Sequence, residues 1–252
     1  MIRYSACIEL LFAKPGDRFA DRIRRAAAAG FDTVEFWHWR NKDLAEIADA
    51  LTETKVSLAA FVAEPMIWLT DPANHDEFLK GLEASISTAR MLAAPILIAQ
   101  SGNNRPGVPR AEQHQAIVAC LSRAADLLHG TGVTLALEPL NDRVDHPGYY
   151  LTSTGQGLDI IDEVGRPEIG LLYDIYHSAV MDETVEQAVG GRISHIAHVH
   201  LADHPGRHEP GSGSIDWRHR VDWLKAQGYQ GLVGLEYSPS GAAPTAYPST
   251  SR

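Results

Sequence analysis

The sequence predicts a (β/α)8 barrel, and three observations carry that prediction. Eight short apolar runs of strand type recur along the 252 residues, helix-like segments separate them, and the total length suits one large α/β domain. Continuous apolar strands alternating with amphipathic helices imply parallel strands covered by helices. A doubly wound open sheet is the weaker alternative.

The first run is YSACIEL, near residue 4. The segment after it sets Phe19, Ile23, Ala26 and Ala27 on one face of a helical repeat, and Gly30 ends it ahead of TVEFW at 33. VSLAAFV at 56 is the third run. Leu82, Ile86 and Ala89 share a helical face before PILIAQ at 95. Ile117, Leu121, Ala124 and Leu128 form the next stripe, and Gly132 precedes VTLALE at 133. IGLLYD at 169 and IAHVHL at 196 follow, and Gly228 precedes LVGLEY at 232. Seven helical segments lie between the eight strands. After Tyr237 the stretch SPSGAAPTAYPSTSR is rich in Pro, Ser, Ala and Thr and has no periodicity. The expected organisation is one barrel domain over 1–238 and a disordered tail over 239–252, with the eighth helix truncated or missing.

Composition narrows the function classes. Lys and Arg total 22 against 32 Asp and Glu, a net charge of −10, and no basic run is present, which argues against nucleic acid or an anionic membrane as partner. No apolar stretch approaches the roughly 20 residues of a membrane span, and MIRYSACIELLF lacks a signal-peptide layout. Only Cys7 and Cys120 are present, too few for a disulfide framework and suited to a reducing cytoplasm.

In such a barrel, function collects at the carboxyl ends of the strands. Strands five to eight end in Glu138, Asp174, His200 and Glu236, each after an apolar run and about one βα unit from the next. A single acidic residue after a strand is usually a helix cap or a solvated loop residue, and Asp174 alone fits that account. Four consecutive strands ending this way are different, because three carboxylates at one rim repel unless a cation compensates them. Three carboxylates and one imidazole suit one divalent metal ion, Mn2+, Mg2+ or Co2+.

Other polar residues are placed by spacing. His198 points the same way as His200 by period two, as a deeper barrel residue or a partner of the ligand. His177, three residues past Asp174, reaches the same rim. Arg207 and Glu209 lie in the loop HPGRHEPGSGSIDW, where they either clamp a negative or polyhydroxy substrate or remain exposed loop charges. Trp37, Trp39, Phe61 and Trp68 follow strands two and three, as an aromatic wall for a small substrate or as ordinary packing. His38, His75, His114, His129 and His219 receive no role.

The segments LALEPLN, LLYDIYHS, HVHLADHPGRHEPGSGSIDW and GLEYSP together resemble the hydroxypyruvate isomerase family. That family belongs to the xylose-isomerase-like TIM barrel group, which also contains ketose 3-epimerases and apurinic-site endonucleases. The resemblance runs from YSACIELLF to the last strand, and EPGSGSID is its most specific motif. It implies that Glu138 and Glu236 are the catalytic pair that also bind the metal. Asp174 and His200 match the other ligand positions, and His177 and Arg207 match positions that hold substrate oxygens. In two places the chain departs from the pattern. His200 stands where hydroxypyruvate isomerases tend to carry Gln and sugar 3-epimerases His. Relatives place an acidic residue six positions after the first glutamate, where this chain has Val144, with Asp145 one later.

The expected chemistry is isomerisation of a small hydroxy-carbonyl compound, of the hydroxypyruvate to tartronate semialdehyde type. A carboxylate removes a proton beside the carbonyl, a divalent cation stabilises the enediolate, and a conjugate acid returns a proton. Return to the neighbouring carbon isomerises; return to the same carbon from the other face makes a ketose 3-epimerase. An apurinic-site endonuclease would be expected to show a basic surface, and a non-catalytic sugar binder to lack one glutamate. The family resemblance implies a homodimer or homotetramer.

Overall fold

The computed structural model describes residues 2–241, so the part of the expected tail over 242–252 lies outside the described residues. Nine parallel strand segments alternate with helices. The strands are β1 (Arg3–Cys7), β2 (Thr33–Glu35), β3 (Ser57–Leu58), β4 (Ala60–Val62), β5 (Ile96–Gln100), β6 (Thr134–Glu138), β7 (Ile169–Asp174), β8 (Ile196–Leu201) and β9 (Leu232–Leu235). The helices are α1 (Phe19–Ala28), α2 (Leu44–Thr54), α3 (His75–Met91), α4 (Arg110–Leu128), α5 (Thr154–Val164), α6 (Ile175–Val180), α7 (Val185–Val189) and α8 (Trp217–Ala226).

The expected third strand is divided. Its two halves, β3 and β4, stand at the two ends of the sheet order β3-β2-β1-β9-β8-β7-β6-β5-β4. Ala59 joins them, donating its N–H to Val34 O at 2.8 Å, while the Ala63 N–H reaches Ile98 O at 2.8 Å. The ring therefore closes through Ala59 as an eight-position barrel, which excludes the open sheet. The segment expected between strands six and seven is also divided, into α6 and α7. Among the described residues no helix follows β9, and no helix is long and apolar enough to cross a membrane.

Local sequence explains the helix starts. Asp43 caps α2 by accepting from the Ala45 and Glu46 N–H groups at 3.0 and 3.1 Å, and Ser153 caps α5 through Gln156 N–H. The stripe Ile117, Leu121, Ala124 and Leu128 is fully buried on α4, as expected. The large apolar core lies between the strands and the helices. A much smaller one, with Ala60, Val62, Ile98, Ala136 and Leu172, fills the barrel itself.

Period two along each strand then sets what lies above that inner core. Two residues after Ile98, Ala136, Leu172, His198 and Gly234 come Gln100, Glu138, Asp174, His200 and Glu236. The register pairs Gln100 with Glu138 and Asp174 with His200, so these side chains share one layer at the carboxyl end of the barrel.

Candidate active site

Glu138, Asp174, His200 and Glu236 are all buried, and each offers an oxygen or nitrogen within 4.8 Å of the others. His200 Nδ1 lies 3.5 Å from Glu138 Oε1 and 3.4 Å from Glu236 Oε2, and neither ring nitrogen has a hydrogen-bond partner among the described residues. Three acidic oxygens facing an unpartnered, buried imidazole nitrogen form the donor set of a hard divalent cation. The residues present therefore fit such an ion.

The electrostatics point the same way. Burial alone would lower the His200 pKa, yet the carboxylates of Glu236, Glu35 and Glu138 hold it well above its ordinary value. Burial raises Asp174, helped by the negative charge of Glu236 and opposed by Arg207. Burial pushes Glu236 up as well, but His200 and Arg207 outweigh it and keep that carboxyl ionised.

Asp174 serves two purposes at once. Its Oδ1 caps α6, accepting from the Tyr176 and His177 N–H groups at 2.7 and 3.0 Å, while Oδ2 remains on the site side, 3.7 Å from His177 Nε2. The helix-cap account of this residue and the ligand account are thus compatible, one oxygen for each.

His177 is buried, and the backbone N–H of Asn141 donates to its Nδ1 at 3.1 Å. A backbone amide only donates, so Nδ1 carries the lone pair and Nε2 the hydrogen. Burial and the charge of Arg207 bring its pKa down to about 4, which keeps the ring neutral at physiological pH. Nε2 has no hydrogen-bond partner among the described residues. The result is a buried N–H donor lining the same cavity as Glu138, His200 and Glu236.

Arg207 also lines this cavity. Its guanidinium pairs with Glu236, lies 3.8 Å from Asp174 and stacks over the Tyr176 ring, and its Nε is a buried donor without a partner among the described residues. The loop that carries it explains the motif around it. The Asp203 carboxylate accepts from the N–H groups of His204, Gly211 and Ile215 at 2.8, 2.7 and 3.0 Å. A Cβ at Gly213 would lie 2.2 Å from His204 O, so only glycine fits there. Arg207 itself has φ 53°, a left-handed conformation held by its neighbours.

Glu209 is not brought to the site. It does not line the cavity; its carboxylate accepts from the N–H and hydroxyl of Ser240, and Ser238 N–H binds Arg207 O. The first residues of the expected tail, up to Ser240, are therefore docked against the β8 loop, because polar groups on both segments satisfy one another. Of the four aromatic residues, Trp37 alone lines the cavity, and its Nε1 donates to Glu236 Oε1 at 2.6 Å. Trp39 binds Ser85, Phe61 stacks on Phe36 in the core, and Trp68 packs over Gly102. Asp145, not Val144, makes the polar contacts here, accepting from Asn141 and from the Tyr176 hydroxyl.

Several residues at the candidate site escaped sequence reasoning. Glu35 ends β2 beneath the site, where its Oε2 binds Ser5 and His198 at 2.9 and 2.8 Å and its Oε1 sits 3.0 Å from His200 Nε2. Burial would raise its pKa, but the two histidines bring it down to about 2. It is the same signal as the other strand ends, hidden because TVEFW reads as one run to Trp37. His198 meets its expected part as a deeper partner of this cluster. His38 and Gln100 line the cavity as well.

One consequence concerns Gly234. A Cβ there would lie 2.2 Å from Glu35 Oε1, and Glu35 is held in place by Ser5 and His198. Gly234→Ala is expected to cost about 1–3 kcal/mol in stability by overpacking, read as a lower melting temperature in calorimetry; an unchanged melting temperature would contradict the packing described.

The description "Xylose isomerase-like TIM barrel" belongs to the family model that matches residues 23–251. The chain is 31% identical over 246 residues to the hydroxypyruvate isomerase of Escherichia coli, covering 95% of this chain and 94% of that one. It is 28% identical to the 2-oxo-tetronate isomerase of Cupriavidus necator, with 95% and 94% covered. Among solved structures, a family 2 AP endonuclease from Brucella melitensis superposes with a TM-score of 0.87 at 29% identity, over 96% of this chain and 95% of that one.

Proposed function

The chain belongs to the xylose isomerase-like TIM barrel family and is an isomerase; from that premise we propose that it is a metal-dependent enzyme acting on a small 2-oxo-3-hydroxy acid such as hydroxypyruvate or 2-oxo-tetronate. The observation that carries this reading is that Glu138 and Glu236, from strands three apart in the ring, face one cavity on either side of His200. With Asp174 and His200 they supply the four ligands of a divalent cation. When bound, such an ion supplies positive charge for the oxygens of the enediolate.

The protein's own groups do the rest. One glutamate takes the proton from the carbon that bears the hydroxyl, and an acid returns a proton to the former carbonyl carbon. The Nε2–H of His177, otherwise a buried donor without a partner among the described residues, donates to a substrate oxygen. Arg207 pairs with the substrate carboxylate. Trp37 orients Glu236 through its indole N–H. The cavity of about 290 Å³ suits a small molecule, and a net charge of −10 supports that over a nucleic acid. Two buried thiols, Cys7 and Cys120, suit a reducing cytoplasm.

His200 in the ligand layer favours a second reading, epimerisation of a free ketose at carbon three by the same pair of glutamates. A product assay distinguishes them. The enzyme loaded with Mn2+, Mg2+ or Co2+ is expected to convert one or both acids to their carbonyl-shifted isomers. Turnover of ketoses alone would move the assignment to the epimerase, and turnover of neither class would overturn both.

A further inference from the structure

The cavity has two unlike halves. Glu138, Glu236, His200, His177 and Arg207 come from β6 to β9 and the loops after them, and they hold its charges. The opposite half, built from β2 to β5, presents Trp37, Val62, Met66 and Ile98, with two polar groups, His38 and Gln100. In the eight-position ring β2 stands across from β7, so His38 lies on the wall facing Asp174 and His177.

The state of the His38 ring follows from its neighbour. Glu64 Oε2 accepts from the backbone N–H groups of Trp39 and Arg40 at 3.2 and 2.9 Å, and its Oε1 lies 2.9 Å from His38 Nδ1. A carboxylate placed on two amide donors is an acceptor, so His38 Nδ1 carries the hydrogen it donates. Nε2, the other ring nitrogen, makes no hydrogen bond among the described residues. Gln100, paired in register with Glu138, likewise has a side chain without a hydrogen bond among the described residues, and it offers both a donor and an acceptor.

We infer that His38, fixed by Glu64, accepts a hydrogen bond from a hydroxyl at the substrate end remote from the carboxylate cluster, with Gln100 beside it. The inference rests on the isomerase reading above and deepens it. A mostly apolar half whose lining offers one oriented imidazole and one carboxamide matches a neutral hydroxymethyl group, whereas the carboxylate end belongs with Arg207. The substrate class is then an acid of four carbons or more, with a hydroxyl beyond the two reacting carbons. A three-carbon acid leaves both polar groups unmatched.

The test compares hydroxypyruvate, which has no carbon beyond the reacting pair, with 2-oxo-tetronate, which has one hydroxymethyl more, on the enzyme saturated with a divalent ion. Wild type is expected to favour the four-carbon acid. His38→Ala is expected to lower kcat/KM for that acid by about tenfold, mainly through KM, and to leave the three-carbon acid within about twofold. His38→Gln, which restores an acceptor oxygen, is expected to recover part of the loss. Equal loss on both acids, or no loss on either, would overturn the role of His38 while leaving the isomerase reading intact. A wild-type enzyme inert toward both acids contradicts that reading, and the assignment of His38 falls with it.

Discussion

Glu138→Gln and Glu236→Gln are each expected to lower kcat by about 10²- to 10⁴-fold while the barrel stays folded. Glutamine keeps the shape and one acceptor oxygen at each position, so the Trp37 indole retains its partner at residue 236. What is lost is the group that accepts and carries a proton. Neither carboxylate holds the barrel together; the apolar layers on both sides of the strands do. The check is turnover at saturating metal, beside the measured metal content and the melting temperature of each variant. Loss of metal alone would appear as activity recovered at high ion concentration, and loss of fold as an early melt. Full activity in either metal-loaded variant would contradict the acid–base assignment.

Removing the divalent ion is expected to abolish turnover and to loosen the protein. Three buried carboxylates and His200 meet within 4.8 Å, and without a cation only Arg207 and the proton on His200 offset their repulsion. An ion present at a hundred times its Kd stabilises the folded state by about 2.7 kcal/mol, equal to a rise of roughly 5–10 °C in melting temperature for a chain of this size. Asp174→Ala should lose both that metal-dependent rise and the cap of α6, so its melting temperature falls even in the absence of metal. A chelator-treated enzyme that keeps its rate and its melting temperature would contradict the candidate site.

The sequence reveals the barrel because period and order are properties of the chain itself. Eight apolar runs separated by helical stripes leave few ways to cover both faces of each strand. The four residues at the ends of β6 to β9 were legible for the same reason, since period two above an apolar run fixes which side chain enters the barrel. Glu35 obeyed the same rule and was missed, because the aromatic residues after it prolonged the apolar run past the true strand end. The break at Ala59 was not legible. Nothing in VSLAAFV marks where one half leaves β2 to pair with β5, and that is decided by closure of the ring.

Loop residues were read less well, for a physical reason. Arg207 reaches the site because its left-handed backbone, the three bonds to Asp203 and a glycine at 213 bend the loop inward. Glu209, two residues on, turns the other way to Ser240. Spacing along a loop does not encode that turn, as it does along a strand. His38 shows the converse, since its orientation depends on Glu64 from another strand's loop, 26 residues away.

The measurement that tests the central claim most directly is proton exchange in deuterated water, followed by mass spectrometry. The enzyme, loaded with Mn2+, Mg2+ or Co2+, is offered hydroxypyruvate and 2-oxo-tetronate, with a chelated sample and the Glu138→Gln and Glu236→Gln variants beside it. Metal-dependent deuterium uptake into substrate or product, lost in both variants, is the predicted result. Uptake that persists in either variant or in the chelated enzyme, or turnover without any uptake when the proton is free to exchange with solvent, would contradict the account.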